Sequence, residues 1–478
     1  MGNRDTTAAW AYHDATKHSV ASVHRSRHGL DFEIMPRPFK VYPQVAPIPL
    51  PRDFTTATRP ALAAIAHDGA IVGDGPALDR VTLARLLYFT AGVLRRRSYP
   101  GGEAFFRAQA CTGNLHHIDL YFICGALPEL AAGVYHFSPH DFALRQLRAG
   151  DVRSAVLHAS GDDAAIAGAP AILACTSTFW RNAWKYQART YRHCFWDNGT
   201  LLANLFAMAA ALELPTRLVL GFVDEELTRV LDLDGEREVT LSLIALGRGA
   251  ATMPANLRVP RLGLETLPLS SREVTYPDIG VAHDASSLWS AEEVAAWRTP
   301  APAPMRTSTP AESVPLAPSL SVPPEPIEQV ILRRGSTREF SRDPISFDVL
   351  STVLRSITRG IRADFVAPGA AWNEVYLIVN AVDGLPPGAY AFDRDHDVLE
   401  RLRAGDCRRQ AGHLDLGQAL AADAAVNLYW LVDLHRVVAH LGNRGYRAAQ
   451  LEAAIGGGKA YLAAYALGVG ATGLTFFD

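Results

Sequence analysis

Three guanidiniums and a hydroxyl fall within six residues at Arg333, Arg334, Ser336 and Arg338, directly after the short apolar run 327–332. Arginine forks match phosphate oxygens bidentately and stay ionised at any relevant pH, so the cluster reads either as an anion site or as a solvated charge run. Two further arginine pairs, Arg189 with Arg192 and Arg444 with Arg447, stand just before helical stretches. They could bind phosphate, or brace their helices against a carboxylate. His13 and His18 lack the cysteine or carboxylate company of a metal site. No GxGxxG or GxxxxGK[ST] run occurs, which removes support for a Rossmann dinucleotide site or a P-loop.

The chain that must position these groups has 478 residues, with 46 basic against 49 acidic side chains and 49% apolar residues. That is ample for a large core and about two to three domains. A net charge of −3 offers no excess of cations for a nucleic-acid partner. Five scattered cysteines without a CxxC pair argue against a zinc ribbon or a disulfide framework. With neither a signal-peptide h-region nor a run long enough to span a membrane, the sequence predicts a soluble, cytoplasmic protein.

Internal repetition gives the organisation. GVYHFSPHDFALRQLRAGD at 133–151 lies over GAYAFDRDHDVLERLRAGD at 388–406, an offset of 255. The same offset aligns Tyr121 with Tyr376, and Arg189-Thr-Tyr-Arg192 with Arg444-Gly-Tyr-Arg447. Each repeat reads as α+β. Segments 81–92 and 347–360 have helical spacing, LYFICGAL and VYLIVNAV read as strands, and a hairpin follows each. Residues 198–214 form an alanine-rich amphipathic helix, expected to be central and to admit a close neighbour. The first repeat continues to a strand at 239–247. The second stops at GLTFFD, so either its last strand is lost or the natural chain runs on. Glycines 456–458 interrupt the second long helix at ~1 kcal/mol each relative to alanine, signalling a close approach or a decayed helix. Nine prolines between 299 and 328 predict an extended, solvated linker. The expected division is a first domain over 1–250, a connecting segment over 251–326 that packs as an arm on the second repeat, and a second domain over 327–478.

RRGSTREFSRDPISFDVLSTVL resembles the opening of the nitroreductase flavoprotein fold. Tyr12-His13, Lys17-His18-Ser19, Pro36-Arg-Pro38-Phe39-Lys40, Ile48-Pro-Leu-Pro51 and Lys185-Tyr186-x2-Arg189-x-Tyr191-Arg192 resemble the SagB/ThcOx-type dehydrogenases of that superfamily. The resemblance implies FMN at the interface of a dimer, which a tandem repeat would reproduce as an intramolecular pseudo-dimer. It implies cofactor contacts from Arg333, Arg334, Ser336 and Arg338 of the second repeat and from Cys111, Thr112, Gly113 and Asn114 of the first. The family's P-S-x-G segment is only partly kept at 110–114, and at 367–369 it lacks the serine, which favours one FMN over two. The resemblance further implies that Lys185 and Tyr186 are catalytic. Oxidising a thiazoline or oxazoline to an azole removes a Cα proton while the flavin accepts a hydride, and a lysine or tyrosine serves as base only if its pKa falls toward neutrality. His440-Leu441 stands at the equivalent positions, so the pair is not duplicated. The expected function is FMN-dependent oxidation of an azoline or related C–N or C–C bond in a peptide or natural-product intermediate, with oxygen reoxidising the flavin. Expected partners are a small-molecule or peptide substrate and biosynthetic enzymes, with the chain a monomer or a higher homo-oligomer. The rivals are an NAD(P)H-dependent nitro- or quinone-reductase and a non-catalytic scaffold of a peptide-modifying complex.

Overall fold

Apolar, β-branched and aromatic runs fold here as the strands of two antiparallel sheets, one per repeat. A computed structural model describes all residues except 1, 27, 71–74, 101, 250–251, 255–258, 299–311, 322–323 and 478. The first sheet has the order β1-β6-β5-β4-β7-β9-β8. Its strands are β1 (Pro47–Pro49), β4 (Ile118–Cys124), β5 (Gly133–Ser138), β6 (Ala143–Ala149), β7 (Ala171–Thr178), β8 (Thr216–Val219) and β9 (Glu238–Leu246). The second has the order β10-β15-β14-β12-β16, from β10 (Ser313–Pro315), β12 (Asn373–Val379), β14 (Gly388–Asp393), β15 (Val398–Ala404) and β16 (Val426–Val432). Two small ribbons complete the strands: β2 (Val93–Tyr99) with β3 (Gly102–Arg107), and β11 (Ile345–Ser346) with β13 (Val382–Asp383). Among the described residues the second sheet has no counterpart of β8 and β9; instead Thr337 N–H donates to the Ala471 carbonyl at 2.9 Å and Phe477 N–H to that of Leu414 at 2.8 Å.

The repeats form one intramolecular pseudo-dimer, and buried apolar side chains from both make a continuous core. At its centre lie the long helices Thr190–Ala211 and Arg444–Ala466. The first begins eight residues before its expected start, because Arg189–Phe195 is already buried and helical. The glycines explain how closely the helices pack. A Cβ on Gly458 would sit 2.5 Å from the Ala203 Cβ and 3.0 Å from the Thr200 Cα, and one on Gly456 would sit 2.5 Å from the Trp430 Nε1. Both positions are tight contacts in a built helix, while Gly457 faces open space.

The connecting segment is more than a spacer. Residues 299–311 lie outside the described residues; Pro315, Pro318 and Pro324 beyond them are exposed, as a linker predicts, but the backbone of Ser313–Pro315 is docked as a strand. Ser313 to Pro315 pairs with Glu400 to Val398 as Pro47 to Pro49 pairs with Arg145 to Ala143. Proline is tolerated there because a short edge strand need not donate on its outer side. Helix Pro277–Ala285 likewise mirrors helix Thr7–Thr16: the His13 carbonyl accepts from Arg192 at 2.9 Å, and the His283 carbonyl from Arg447 at 2.8 Å. Segment 251–326 thus carries second copies of elements that open the first repeat. The 255-residue offset hid them, since here the offset is 313 − 47 = 266. Among the described residues no helix is long and apolar enough to cross a membrane.

Candidate active site

A cavity of about 2620 Å3 opens between the repeats. Helix Ile327–Arg333 ends at its wall, and the chain then runs extended through Arg334, Ser336 and Arg338, all of which line it. The Arg334 guanidinium crosses to the first repeat, where Nε and Nη2 donate to the Ala108 carbonyl at 3.2 and 3.1 Å. It also lies 5.6 Å from the Tyr461 ring centroid. Ser336 Oγ is 3.3 Å from the Tyr461 hydroxyl, and Arg338 is exposed. Arg333 departs from expectation: as the last helical residue it turns away, pairs with the Glu325 carboxylate and donates to the Tyr465 carbonyl at 2.8 Å. It does not line the cavity.

Cys111, Thr112, Gly113 and Asn114 form the facing loop in the same cavity. Asp197, on the central helix, holds it: the Thr112 N–H and hydroxyl donate to Asp197 Oδ1 at 2.8 and 2.7 Å. The Cys111 Sγ lies 3.2 Å and the His117 Nε2 2.9 Å from Oδ2. Burial pushes the Asp197 carboxyl up, but the His117 hydrogen bond and the charges of His117 and His193 outweigh it and hold the group below the usual carboxylate range. Burial, then the Asp197 charge, pushes the Cys111 thiol well up, so it is a neutral wall group and not a thiolate.

Lys185 and Tyr186 end helix Trp180–Tyr186 and reach the same loop. Gly113 has φ +62°, and a Cβ there would sit 2.8 Å from the Tyr186 Oη, so glycine is required both by backbone and by space. The Lys185 Nζ is 5.3 Å from the Tyr186 ring centroid, and the His193 ring meets the phenol edge-on at 4.5 Å. The phenol is not activated as expected. Burial, then the Asp197 charge, raises its pKa, while the lysine stands over the ring face. Tyr186 is therefore a hydrogen-bond donor at neutral pH.

The pseudo-symmetric position is closed. Trp297 is buried, and its Nε1 donates at 2.9 Å to the carbonyl of Leu441, the counterpart of Tyr186 at the 255 offset. Arg298 spans Asp364 at 3.3 Å, the Gly161 carbonyl at 3.2 Å and the Gly221 carbonyl at 3.0 Å. Arg444 and Arg447, both 0% exposed, clamp Asp224 at 2.7 and 2.8 Å. This resolves the second arginine pair as a brace. Arg189 and Arg192 instead hold the Thr16 and His13 carbonyls of the N-terminal helix. The bridge Pro60↔Pro326 sets the local offset at 326 − 60 = 266, which places His67, Asp68, Gly69 and Ala70 where the second repeat has Arg333, Arg334, Gly335 and Ser336. The closed site thus lacks the arginines as well as the space.

Sequence reasoning missed Asp197, although running the 255 offset along the helix pairs it with another acid, Glu452. That carboxylate holds the equivalent loop through the N–H groups of Trp372 and Asn373, at 2.9 and 2.8 Å. It also missed Arg107 and Gln109 of the cavity wall, whose buried Nε and Oε1 have no partner among the described residues.

Residues 331–478 match the Nitroreductase family. A nitroreductase candidate of Methanocaldococcus jannaschii, MJ1384, is 25% identical over 158 residues, covering 32% of this chain and 80% of that one. The microcin B17-processing protein McbC of Escherichia coli is 26% identical over 141 residues, covering 29% of this chain and about half (49%) of that protein. In three dimensions the chain is similar to the crystal structure of a nitroreductase candidate from Anabaena variabilis, with a TM-score of 0.76 over 98% of this chain and 94% of that one at 22% identity. The two repeats thus share a nitroreductase-like α+β fold, and residues 331–478 are similar to the Nitroreductase family.

Proposed function

We propose that this chain is an FMN-dependent dehydrogenase that oxidises an azoline, or a related C–N or C–C bond, in a peptide or natural-product intermediate. The observation that carries the reading is the gathering of Arg334, Ser336 and Arg338 from one repeat with Cys111 to Asn114, Lys185 and Tyr186 from the other around a single cavity. Its volume exceeds the ~300–1,000 Å3 of an ordinary ligand pocket and leaves room for a flat cofactor beside a substrate. The residues fit FMN: Arg338 and Ser336 suit a phosphate, and the orphaned Arg107 Nε and Gln109 Oε1 suit the donor and acceptor edge of an isoalloxazine. When bound, FMN would supply the hydride acceptor. The similarity to McbC, a microcin-processing protein, supports a peptide substrate. An enzyme that forms the azoline must then act first.

In this reading Arg334 holds the two repeats together across the cofactor edge, and the Asp197 network fixes the facing loop. Tyr186, kept neutral by burial, donates its O–H to the heterocycle nitrogen, and Lys185, acting in its neutral amine form, receives the Cα proton. The test joins flavin content to turnover. The protein should carry FMN and convert a thiazoline peptide to the thiazole with loss of two hydrogens, and Lys185→Ala and Tyr186→Phe should each lower kcat at least tenfold with flavin retained. Reduction of a quinone by NAD(P)H, unaffected by either substitution, would establish the reductase instead.

A further inference from the structure

The offset between repeats changes most between the paired helices and the central strands. The capping residues Asp79 and Ser346 of helices Arg80–Ala91 and Phe347–Ile357 differ by 267, whereas β4 and β12 differ by 373 − 118 = 255. The first repeat is therefore twelve residues longer between residues 92 and 118, where the β2–β3 hairpin stands. It stands at the open cavity. Leu94, Arg95, Arg97 and Phe106 line the cavity, with Phe106 opposite Arg95 in the register and its ring centroid 5.3 Å from the guanidinium. The opposite face docks on the protein: Arg96 pairs with Glu103 and stacks on Phe105, which meets Phe39 at 4.9 Å. Arg95 and Arg97 are exposed and meet no carboxylate among the described residues. Among the described residues the ribbon has two strands, and the outer edge of β2 carries no strand partner among them.

We propose that this hairpin selects the substrate, and that it takes an extended peptide segment with acidic side chains at alternate positions, laid along the free edge of β2. Residues two apart on a strand share a face and stand ~7 Å apart, so Arg95 and Arg97 match carboxylates at i and i+2 of an added strand. Guanidinium forks pair with carboxylates bidentately, and strand addition supplies main-chain hydrogen bonds whatever the remaining sequence. Phe106, on the same face from β3, backs the Arg95 guanidinium and holds it toward that edge. The inference rests on the peptide reading above and names the chemistry of that peptide.

The test uses the purified full chain in low salt and two labelled hexapeptides, one alternating Asp and Leu and one alternating Lys and Leu, read by fluorescence anisotropy. The acidic peptide is expected to bind at least tenfold more tightly. Arg95→Ala with Arg97→Ala should erase that preference, Arg95→Glu with Arg97→Glu should reverse it, and Arg96→Ala should leave it intact. Flavin content is expected to be unchanged in all three. Equal binding of both peptides, absence of binding by either, competition by inorganic phosphate as strong as by the acidic peptide, or loss of FMN with the arginines would each overturn the proposal. Failure of the dehydrogenase reading shows elsewhere, as missing flavin or no oxidation of an uncharged thiazoline peptide.

Discussion

The two interface positions are built from the same parts and reach opposite ends. At one, the Asp364 carboxylate receives the N–H groups of Leu220 and Gly221, both at 2.8 Å, and Arg298 closes over it. At the other, Gln109 stands at the equivalent place by the 255 offset, and its buried Oε1 finds no partner among the described residues. The same divergence recurs in the short helices. Ala291–Trp297 drives Val294 and Trp297 into the closed position, whereas Val20–Arg25 buries nothing and its neighbours line the open cavity. Duplication thus freed one copy of the site to become core, with buried ion pairs and an indole filling the volume that the other copy leaves for ligands.

The sharpest way to break the comparison is at Asp224, the one carboxylate among the described residues that Arg444 and Arg447 pair with. Asp224→Ala leaves two fully buried guanidiniums uncompensated and should cost about 3–5 kcal/mol, measured by urea unfolding. Trp297→Ala removes an indole that is 1% exposed and should cost about 3–5 kcal/mol. It should leave flavin content unchanged, because the closed position still lacks the arginines. Arg334→Glu acts on the open position: it loses both hydrogen bonds to the Ala108 carbonyl and lowers thermal stability, and in the fraction that stays folded FMN affinity falls at least tenfold, about 1.4 kcal/mol; Asp68→Ala, at the corresponding place in the closed site, should leave FMN affinity unchanged.

A pH titration probes the closed position in a second way. Burial, then the Arg447 charge, lowers the His283 pKa to about 3, so the folded protein keeps this ring neutral while the unfolded chain protonates it below about 6.5. The unfolded state binds the extra proton, and stability falls as pH drops from about 6.5 toward 3. Asp224, held at about 2 by the two arginines against its burial, contributes stability above its ordinary value near 4 that is lost only on approach to 2. His283→Gln should flatten the upper part of that acid profile, as read from unfolding free energies between pH 4 and 7.

Much of this was legible in the sequence. A constant offset exposed the repeat, periodicity located the paired helices and strands, and the RRGSTR run led to the cavity wall. What stayed hidden has physical causes. The side chain of Arg333 could not be told from its neighbour's until the Glu325 carboxylate was seen beside it. The phenol of Tyr186 shares a motif with a lysine, yet its pKa is set by burial and by Asp197, eleven residues along the chain and a turn away in space. Proline content described the connector as a linker, because composition cannot tell a solvated strand from one paired at a sheet edge. The twelve-residue shift that marks the hairpin emerges only when both helix caps are fixed.

The central claim is that one of two symmetric positions holds a cofactor. Absorption spectroscopy of the purified chain, followed by denaturation and quantification of released flavin after saturation with FMN, tests it directly. One FMN per chain is the predicted result. Two per chain would contradict the closed position, and none would contradict the open one.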